Sequence, residues 1–117
     1  MGTLAADSVV SVPFPFSDLS QSKLRPALVL AGIGRNDWIL CQVTSNPFSD
    51  PKALTITDDS FEKESLQKTN YARPGKLFTA NEQLFVVEVG MLKKDALGKV
   101  IDAVIEILRE GFDTYKG

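Results

Sequence analysis

Histidine is absent from this 117-residue chain, and cysteine occurs only once. The lack of histidine excludes an ordinary imidazole acid–base pair. It also effectively excludes zinc, which proteins bind mainly through histidine and cysteine. The single cysteine, Cys41, rules out an internal disulfide, and its place in an apolar run predicts a small buried hydrophobic side chain. Asp58-Asp59 and Glu62/Glu64 are candidates for weak magnesium binding, but a solvated acidic turn is the better interpretation, so we expect no metal ion and no cofactor.

Long apolar segments are missing as well. No apolar run approaches the roughly 20 residues that a membrane-spanning helix needs. No basic stretch followed by an apolar one indicates a signal peptide. The sequence therefore predicts a soluble cytoplasmic protein without membrane contact, and its length predicts one domain over residues 1–117.

An excess of positive charge is also missing. The chain has 13 Lys and Arg against 15 Asp and Glu, which gives a net charge of −2. Nucleic-acid-binding domains usually neutralise phosphates with clustered cations, so the net charge argues against a large basic nucleic-acid footprint. Nucleic-acid binding then requires either a small substrate footprint or a local basic patch, whose candidate members are Lys23, Arg25, Lys68, Arg73 and Lys76.

Short apolar segments separated by turn residues predict a mainly β fold. Strands are expected over residues 9–16, 25–31, 38–44, 53–57, 71–78 and 84–91, the fifth interrupted at Pro74-Gly75. The continuously apolar run at 25–31 indicates a strand buried on both faces. Residues 34–37 suit a hairpin turn, and residues 60–68 favour either a short helical turn or an exposed loop.

The period of the apolar residues changes after the last strand. Apolar side chains recur at helical spacing from Leu97 to Leu108, which predicts an amphipathic helix over about residues 95–110. Asp95 is a candidate first-turn acid, and Gly111 is a candidate stop. Together the segments predict a small, strongly curved antiparallel sheet closed by one helix.

An arginine and a threonine at the ends of neighbouring predicted strands are the best candidates for chemistry. The planar guanidinium of Arg25 fits phosphate oxygens bidentately. The Thr44 hydroxyl can donate to a phosphoryl oxygen or orient a ribose hydroxyl. Ordinary structural roles stay open for both, namely an ion pair between Arg25 and Asp18, and a bond from Thr44 to its own backbone.

Four segments resemble the PemK/MazF family of toxin endoribonucleases. They are PFPFSD at residues 13–18, KLRPALVL at 23–30, TSN at 44–46 and YARPGKLFT at 71–79. Their order and spacing match over most of the chain, from about Asp7 to about Leu108. The first two segments together are fairly specific, whereas either alone is weak because apolar strands with prolines are common.

The resemblance implies a fold, an activity and partners. The fold is the SH3-like barrel shared by the MazF and CcdB toxins, assembled as a homodimer with its RNA site near the dimer interface. The activity is metal-independent cleavage of single-stranded RNA, with Arg25 as the catalytic arginine and Thr44 as the catalytic threonine. The partner is a cognate antitoxin with a flexible acidic tail.

The resemblance also indicates substrate-binding residues. The loop at 17–23 borders the RNA site in the family, which makes Ser20, Ser22 and Lys23 candidates. Further candidates are two residues after Thr44 and two cations on the predicted fifth strand, namely Ser45, Asn46, Arg73 and Lys76. The chain departs from the family in three places: it lacks a Gly-Ser-Glu-Gln loop pattern, has Asp7-Ser8 in place of Gly-Asp, and has Gly75 where an acid is common.

Two other classes of function remain open, namely a non-catalytic binding module and a plain structural domain. The CcdB branch uses the same barrel to inhibit DNA gyrase without cleaving anything, and an inactive PemK-like dimer would bind RNA or antitoxin alone. A plain dimerising SH3-like domain is the third possibility. The presence of both Arg25 and Thr44 favours the enzyme.

Overall fold

Seven strands and one long helix make up the computed structural model, which describes residues 6–15, 22–47, 49–63 and 68–116. The strands are β1 (Ser8–Pro15), β2 (Ser22–Gly34), β3 (Asp37–Thr44), β4 (Leu54–Ile56), β5 (Phe61–Lys63), β6 (Asn70–Asn81) and β7 (Val87–Leu92). The helix is α1 (Lys94–Lys116), and two short 3₁₀ turns lie at Asp58–Ser60 and Glu82–Leu84.

All seven strands form one sheet in the order β4-β6-β3-β2-β1-β7-β5. Every neighbouring pair is antiparallel, and the sheet curls into a half-barrel. The predicted mainly β architecture with a C-terminal helix is therefore confirmed. The strand β5 was not predicted, because three residues within a charged segment carry too little periodicity to indicate a strand.

The β2–β3 hairpin follows the predicted turn. Gly34 pairs with Asp37, which leaves Arg35 and Asn36 as a two-residue loop. Both loop residues have positive φ, 57° and 65°, as a type I′ turn requires. Asparagine tolerates this conformation well, and the turn's twist matches that of the strands that it joins.

The sheet buries apolar side chains on both of its faces. On β2, Leu28 and Leu30 belong to a cluster that contacts α1, whereas Ala27 and Val29 belong to a second cluster on the opposite face. The predicted burial on both faces is thus confirmed for residues 27–30, whereas Arg25 and Ala31 at the ends of the predicted strand are exposed. Cys41 is fully buried, as predicted, and burial raises the pKa of its thiol to about 12, so it behaves as an inert hydrophobic residue.

The helix is longer than predicted. Instead of ending near residue 110, α1 continues through Gly111 to Lys116. One glycine inside a helix costs only about 1 kcal/mol relative to alanine, which does not by itself end a helix. Across this glycine, the guanidinium of Arg109 lies 5.7 Å from the centre of the Phe112 ring.

The distal half of α1 carries an apolar stripe that the sheet does not cover. Its side chains recur at intervals of three and four residues, so they share one side of the helix. They are 48–90% exposed, and the stripe consists of Ile105, Leu108, Phe112 and Tyr115.

Asp7 combines a strained backbone with a poorly solvated carboxylate. Its φ is +83°, and its Oδ1 atom is buried without a hydrogen-bond partner in the described part of the chain. Burial raises the pKa of Asp7, and the neighbouring charges of Glu62 and Glu88 raise it further against the opposing effect of Lys94. The Ser8 hydroxyl donates instead to Glu88, at 2.6 Å.

Asp7→Asn is therefore expected to raise the free energy of unfolding at pH 7 by up to about 1 kcal/mol. Because the folded-state pKa is raised, the penalty of the ionised carboxylate is absent below its unfolded-state pKa. The penalty grows as pH rises and is complete above the folded-state pKa. Urea unfolding of both proteins should show their difference shrinking as pH falls. Asp102→Asn, on the exposed side of α1, is the control, and a constant difference at all pH values would contradict the assignment.

Candidate functional site

A cavity of about 730 Å³ opens where β2, β3 and β6 come together. We call it the groove. Most of its side chains are polar or cationic, and its lining residues are Arg25, Pro26, Gln42, Val43, Thr44, Ser45, Asn46, Lys68, Asn70, Arg73 and Lys76.

Strand register places the two predicted catalytic residues on the same side of the sheet. Ala27 pairs with Gln42 across β2 and β3. Arg25 lies two residues before Ala27, and Thr44 lies two residues after Gln42. Side chains alternate with a period of two along a strand, so Arg25, Thr44 and Gln42 point to one face. That face carries the Ala27 cluster and is opposite to α1.

A break in the β3–β6 pairing shapes the adjacent wall of the groove. Cys41 pairs with Leu77, but the next residue, Gln42, pairs with Arg73. Residues 74–76 therefore have no partners in this ladder. They include Pro74 and Gly75, where the sequence predicted an interruption, although β6 itself continues from Asn70 to Asn81. The bulge brings Arg73 beside Gln42 and leaves Lys76 exposed at the groove.

Cations are concentrated in the groove despite the net negative charge of the chain. Of the predicted patch, Arg25, Lys68, Arg73 and Lys76 line it. For Lys23, the structure describes only the backbone, in β2 opposite Phe14. Such a concentration attracts phosphate groups locally without a basic protein overall.

Arg73 is held by two side chains rather than projecting into solvent. Its Nε donates to Asp50 Oδ2 at 3.0 Å, and its Nη1 donates to Gln42 Oε1 at 3.2 Å. The side chains of Arg73 and Asp50 are only 16% and 14% exposed. The hydrogen bond from Arg73, together with the backbone N–H of Lys52, lowers the pKa of Asp50. This ion pair ties the β3–β4 loop to β6.

The Thr44 hydroxyl has a local role in this structure. It donates to the Asn46 carbonyl and accepts from the Asn46 N–H, both at 3.1 Å. This is the backbone bond that the sequence left open for Thr44. The bond also fixes the position of Asn46 at the groove.

Two of the remaining predicted substrate-binding residues line the groove, and the structure describes the other two only in part or not at all. Ser45 and Asn46 line the groove next to Thr44. Ser20 lies outside the described residues, and Ser22 is described only by its backbone, opposite Pro15. The roles assigned to all of these residues stay predictions.

Three polar residues of this region were not predicted. Gln42 and Asn70 line the groove, and Asp50 anchors Arg73. The sequence contained a signal for Gln42, since it is a polar residue within the otherwise apolar strand 38–43. In the structure its side chain is only 6% exposed. No local pattern distinguished Asp50, which is one of several acids in loops.

The described residues form neither a metal-binding cluster nor a membrane-spanning helix. Within these ranges, no group of three or more Cys, Asp or Glu side chains is placed to hold a metal ion. Nor does the described part of the chain contain a helix with the length and apolar character needed to cross a membrane.

The structure is similar to solved structures of endoribonucleases and MazF proteins. A mycobacterial endoribonuclease in complex with its cognate antitoxin superposes with a TM-score of 0.68 at 13% identity, over 92% of this chain and 95% of that one. MazF from Deinococcus radiodurans gives a TM-score of 0.70 at 19% identity, over 92% and 98%. The MazE–MazF complex of the same organism gives 0.69 at 18%, over 92% and 97%.

Sequence comparisons give no corresponding match. No protein-family model matches the chain, and no curated protein matches it. The chain nevertheless has the MazF-like fold, as the resemblance of its motifs implied.

Proposed function

We propose that this chain is the toxin of a toxin–antitoxin pair and cleaves single-stranded RNA without a metal ion. The observation that carries the proposal is the groove, where Arg25 and Thr44 share one face of the sheet among further cations. The MazF-like fold supports it, since similar solved structures are endoribonucleases. Single-stranded RNA suits an open groove because its unstacked backbone exposes both phosphates and base edges.

The proposed reaction uses the RNA's own nucleophile. The 2′-oxygen attacks the adjacent phosphorus, a new P–O2′ bond forms, and the bond to the 5′-oxygen breaks. The products are a 2′,3′-cyclic phosphate and a 5′-hydroxyl. The 2′-hydroxyl loses one proton and the 5′-oxygen gains one, so protons balance without a co-reactant.

Arg25 and Thr44 have distinct tasks in this reaction. Arg25 donates to the phosphoryl oxygens, where negative charge develops as phosphorus becomes five-coordinate. A guanidinium carries hydrogen-bond donors and no acceptor, so the task of Arg25 is electrostatic. The Thr44 hydroxyl, at the end of β3, donates to a phosphoryl oxygen or orients the 2′-hydroxyl, exchanging its bond to the Asn46 carbonyl for one to RNA.

Incubation of the purified protein with mixed RNA in EDTA tests this function directly. Cleavage products should carry a 2′,3′-cyclic phosphate and a 5′-hydroxyl, as seen by end-labelling and mass spectrometry. DNA of the same sequence lacks the 2′-hydroxyl and should stay intact. A strict magnesium requirement, or products with a 5′-phosphate, would refute the mechanism.

A homodimer is part of this proposal. The apolar stripe on the distal half of α1 supports it, because Leu108 is 64% exposed and Tyr115 is 90% exposed without cover from the sheet. A two-fold interface also covers edge strands, which otherwise invite non-specific pairing. Sedimentation at micromolar concentration should give a dimer, and a monomer there would refute this part.

The proposed antitoxin is an acidic, flexible segment that covers the groove. Two similar solved structures are complexes with an antitoxin or with MazE, and the groove cations suit an acidic tail. The tail and RNA would compete for these cations, so bound antitoxin should block cleavage. A neighbouring small reading frame that encodes an acidic, apolar tail would support the pair.

Lys76→Glu is expected to weaken binding of that antitoxin by about five- to tenfold at low salt, and by less at high salt. Lys76 is chosen because it is exposed at the groove, whereas reversing Arg73 would also break its bonds to Asp50 and Gln42. The measurement is calorimetric titration at two salt concentrations. Lys99→Glu on α1 is the matched control, and equal affinities for both variants would contradict a shared site for RNA and antitoxin.

A further inference from the structure

Gln42 is a buried polar side chain that lines the groove. It is 6% exposed and sits in β3, where its neighbours along the strand, Cys41 and Val43, are fully buried apolar residues. It shares its face of the sheet with Arg25 and Thr44, since it lies two residues before Thr44 and opposite Ala27. A polar side chain at such a position costs free energy unless it has hydrogen-bond partners.

The bond to Arg73 determines which way the Gln42 amide faces. Arg73 Nη1 donates to Gln42 Oε1 at 3.2 Å. The reverse orientation would place the NH₂ group of Gln42 against a guanidinium, which has donors only. The chemistry of the pair therefore turns the oxygen toward Arg73 and the NH₂ group away from it.

Asp50 holds Arg73 in the position that orients Gln42. The Asp50 carboxylate accepts from Arg73 Nε at 3.0 Å and from the Lys52 N–H at 2.9 Å. The loop around Asp50 is itself closed by backbone bonds, from Asp50 N–H to the Pro47 carbonyl and from Ala53 N–H to the Asp50 carbonyl. Asp50, Arg73 and Gln42 are thus linked by hydrogen bonds in a row from the β3–β4 loop to the groove.

The NH₂ group of Gln42 is left for a ligand. Across the described residues, no side chain or carbonyl accepts a hydrogen bond from it, and it is not among the buried atoms without a partner. Gln42 lines the groove. Its NH₂ group therefore keeps access to the groove as a pure donor in a nearly buried setting, where a hydrogen bond has more effect than in water.

We propose that Gln42 binds the substrate through this NH₂ group, and that Asp50 and Arg73 are positioning residues that hold the amide for it. The proposal rests on the proposed function, because it takes RNA as the occupant of the groove. The group that it recognises is a hydrogen-bond acceptor of the RNA. That acceptor is either a phosphate oxygen or a carbonyl oxygen or ring nitrogen of a base.

Two substitutions at Gln42 separate its donor from its acceptor. Gln42→Met keeps the length of the side chain and removes both groups without a change in charge. Gln42→Glu keeps an acceptor for Arg73 and removes the donor, but it also adds a negative charge, so its loss is compared at high salt, where repulsion of the RNA is screened. The probe is an RNA of the sequence that the wild-type protein cleaves, with 2′-O-methyl groups that prevent cleavage. Both variants should bind it about tenfold more weakly than the wild-type protein. For Gln42→Met, the salt dependence should remain unchanged, because no charge is lost.

Gln83→Met is the matched control. Gln83 is exposed in the 3₁₀ turn at Glu82–Leu84 and lies outside the groove. Its substitution should leave RNA binding unchanged. Circular dichroism and thermal unfolding of each variant verify that the fold persists, and the two Gln42 variants serve as independent checks on each other.

A double-mutant cycle tests the positioning roles. Asp50→Asn alone should weaken RNA binding by about three- to fivefold, because the hold on Arg73 is reduced. In the Gln42→Met background the same substitution should have little further effect, since the amide that it positions is gone. Additive losses would overturn the claim that Asp50 acts through Gln42.

The outcomes also separate this inference from the proposed function. If the wild-type protein neither binds nor cuts RNA, both fail. If it does both while the Gln42 variants bind within twofold of it, this inference alone is overturned.

Where the Gln42 variants lose binding, a panel of RNA sequences identifies the acceptor. A uniform loss across sequences indicates a phosphate oxygen, whereas a changed sequence preference indicates a base edge, and either result supports the donor role.

Discussion

Arg25→Ala is expected to lower the rate of RNA cleavage by about 10²–10³ while the protein stays folded. The reason is that preorganised donors aimed at developing charge supply much of the stabilisation of such a transition state. Arg25 is exposed at the groove, so its removal leaves no cavity in the core. Single-turnover cleavage of a defined RNA, with circular dichroism as the test of folding, measures the effect.

Three further substitutions sharpen this prediction. Arg25→Lys should restore little activity, because a point charge does not replace a planar fork with two parallel donors. Thr44→Ala should cost less than Arg25→Ala, and Thr44→Ser should cost least, because serine keeps the hydroxyl and its bonds to Asn46. Arg109→Ala, which removes the same charge from α1, should leave the rate unchanged. Near-full activity of Arg25→Lys would show that the bidentate role is wrong.

Leu28→Ala is expected to lower the free energy of unfolding by about 2–5 kcal/mol. Leu28 is fully buried in the cluster between the sheet and α1, so alanine loses burial and leaves a cavity that its neighbours fill only in part. A typical domain has only about 5–15 kcal/mol of stability in total, so this one change removes a large share. Urea unfolding should show a lower midpoint with an unchanged slope.

Leu24→Ala is the matched control for that experiment. Leu24 lies on the same strand, four residues earlier, and is 52% exposed. Its replacement should change the unfolding free energy by about 0.5 kcal/mol or less. Equal losses at both positions would contradict the burial pattern of β2.

Local patterns predicted the scaffold of the groove. Short apolar runs between turn residues indicated β2 and β3, and the change to helical spacing indicated α1. Arg25 and Thr44 were predicted as a pair from their places at the ends of the predicted strands and from the resemblance of their motifs, and both line the groove. In the structure, β2 begins three residues before Arg25. The strands and the helix were predictable because each depends on residues a few positions apart in the chain.

Local patterns did not predict which side chains hold the groove together. The bond from Arg73 to Asp50 spans 23 residues, and the bond from Arg73 to Gln42 spans 31. A sequence offers many such pairs of opposite charge, and only the folded register selects one. The bulge at residues 74–76 made this selection by shifting Arg73 opposite Gln42.

Arg25 and Thr44 are proposed for chemistry through the resemblance of their motifs to a known family. The amino-acid sequence by itself determined the class of fold and the buried central strand. Those properties follow from side-chain size, polarity and spacing, which act between near neighbours. Only the tertiary structure decided that Arg73 is clamped by Asp50, that Gln42 presents a donor in the groove, and that Asp7 has an unpaired buried oxygen. Each of these depends on which distant segments meet, because burial and hydrogen-bond partners arise only when the strands of the sheet have come together.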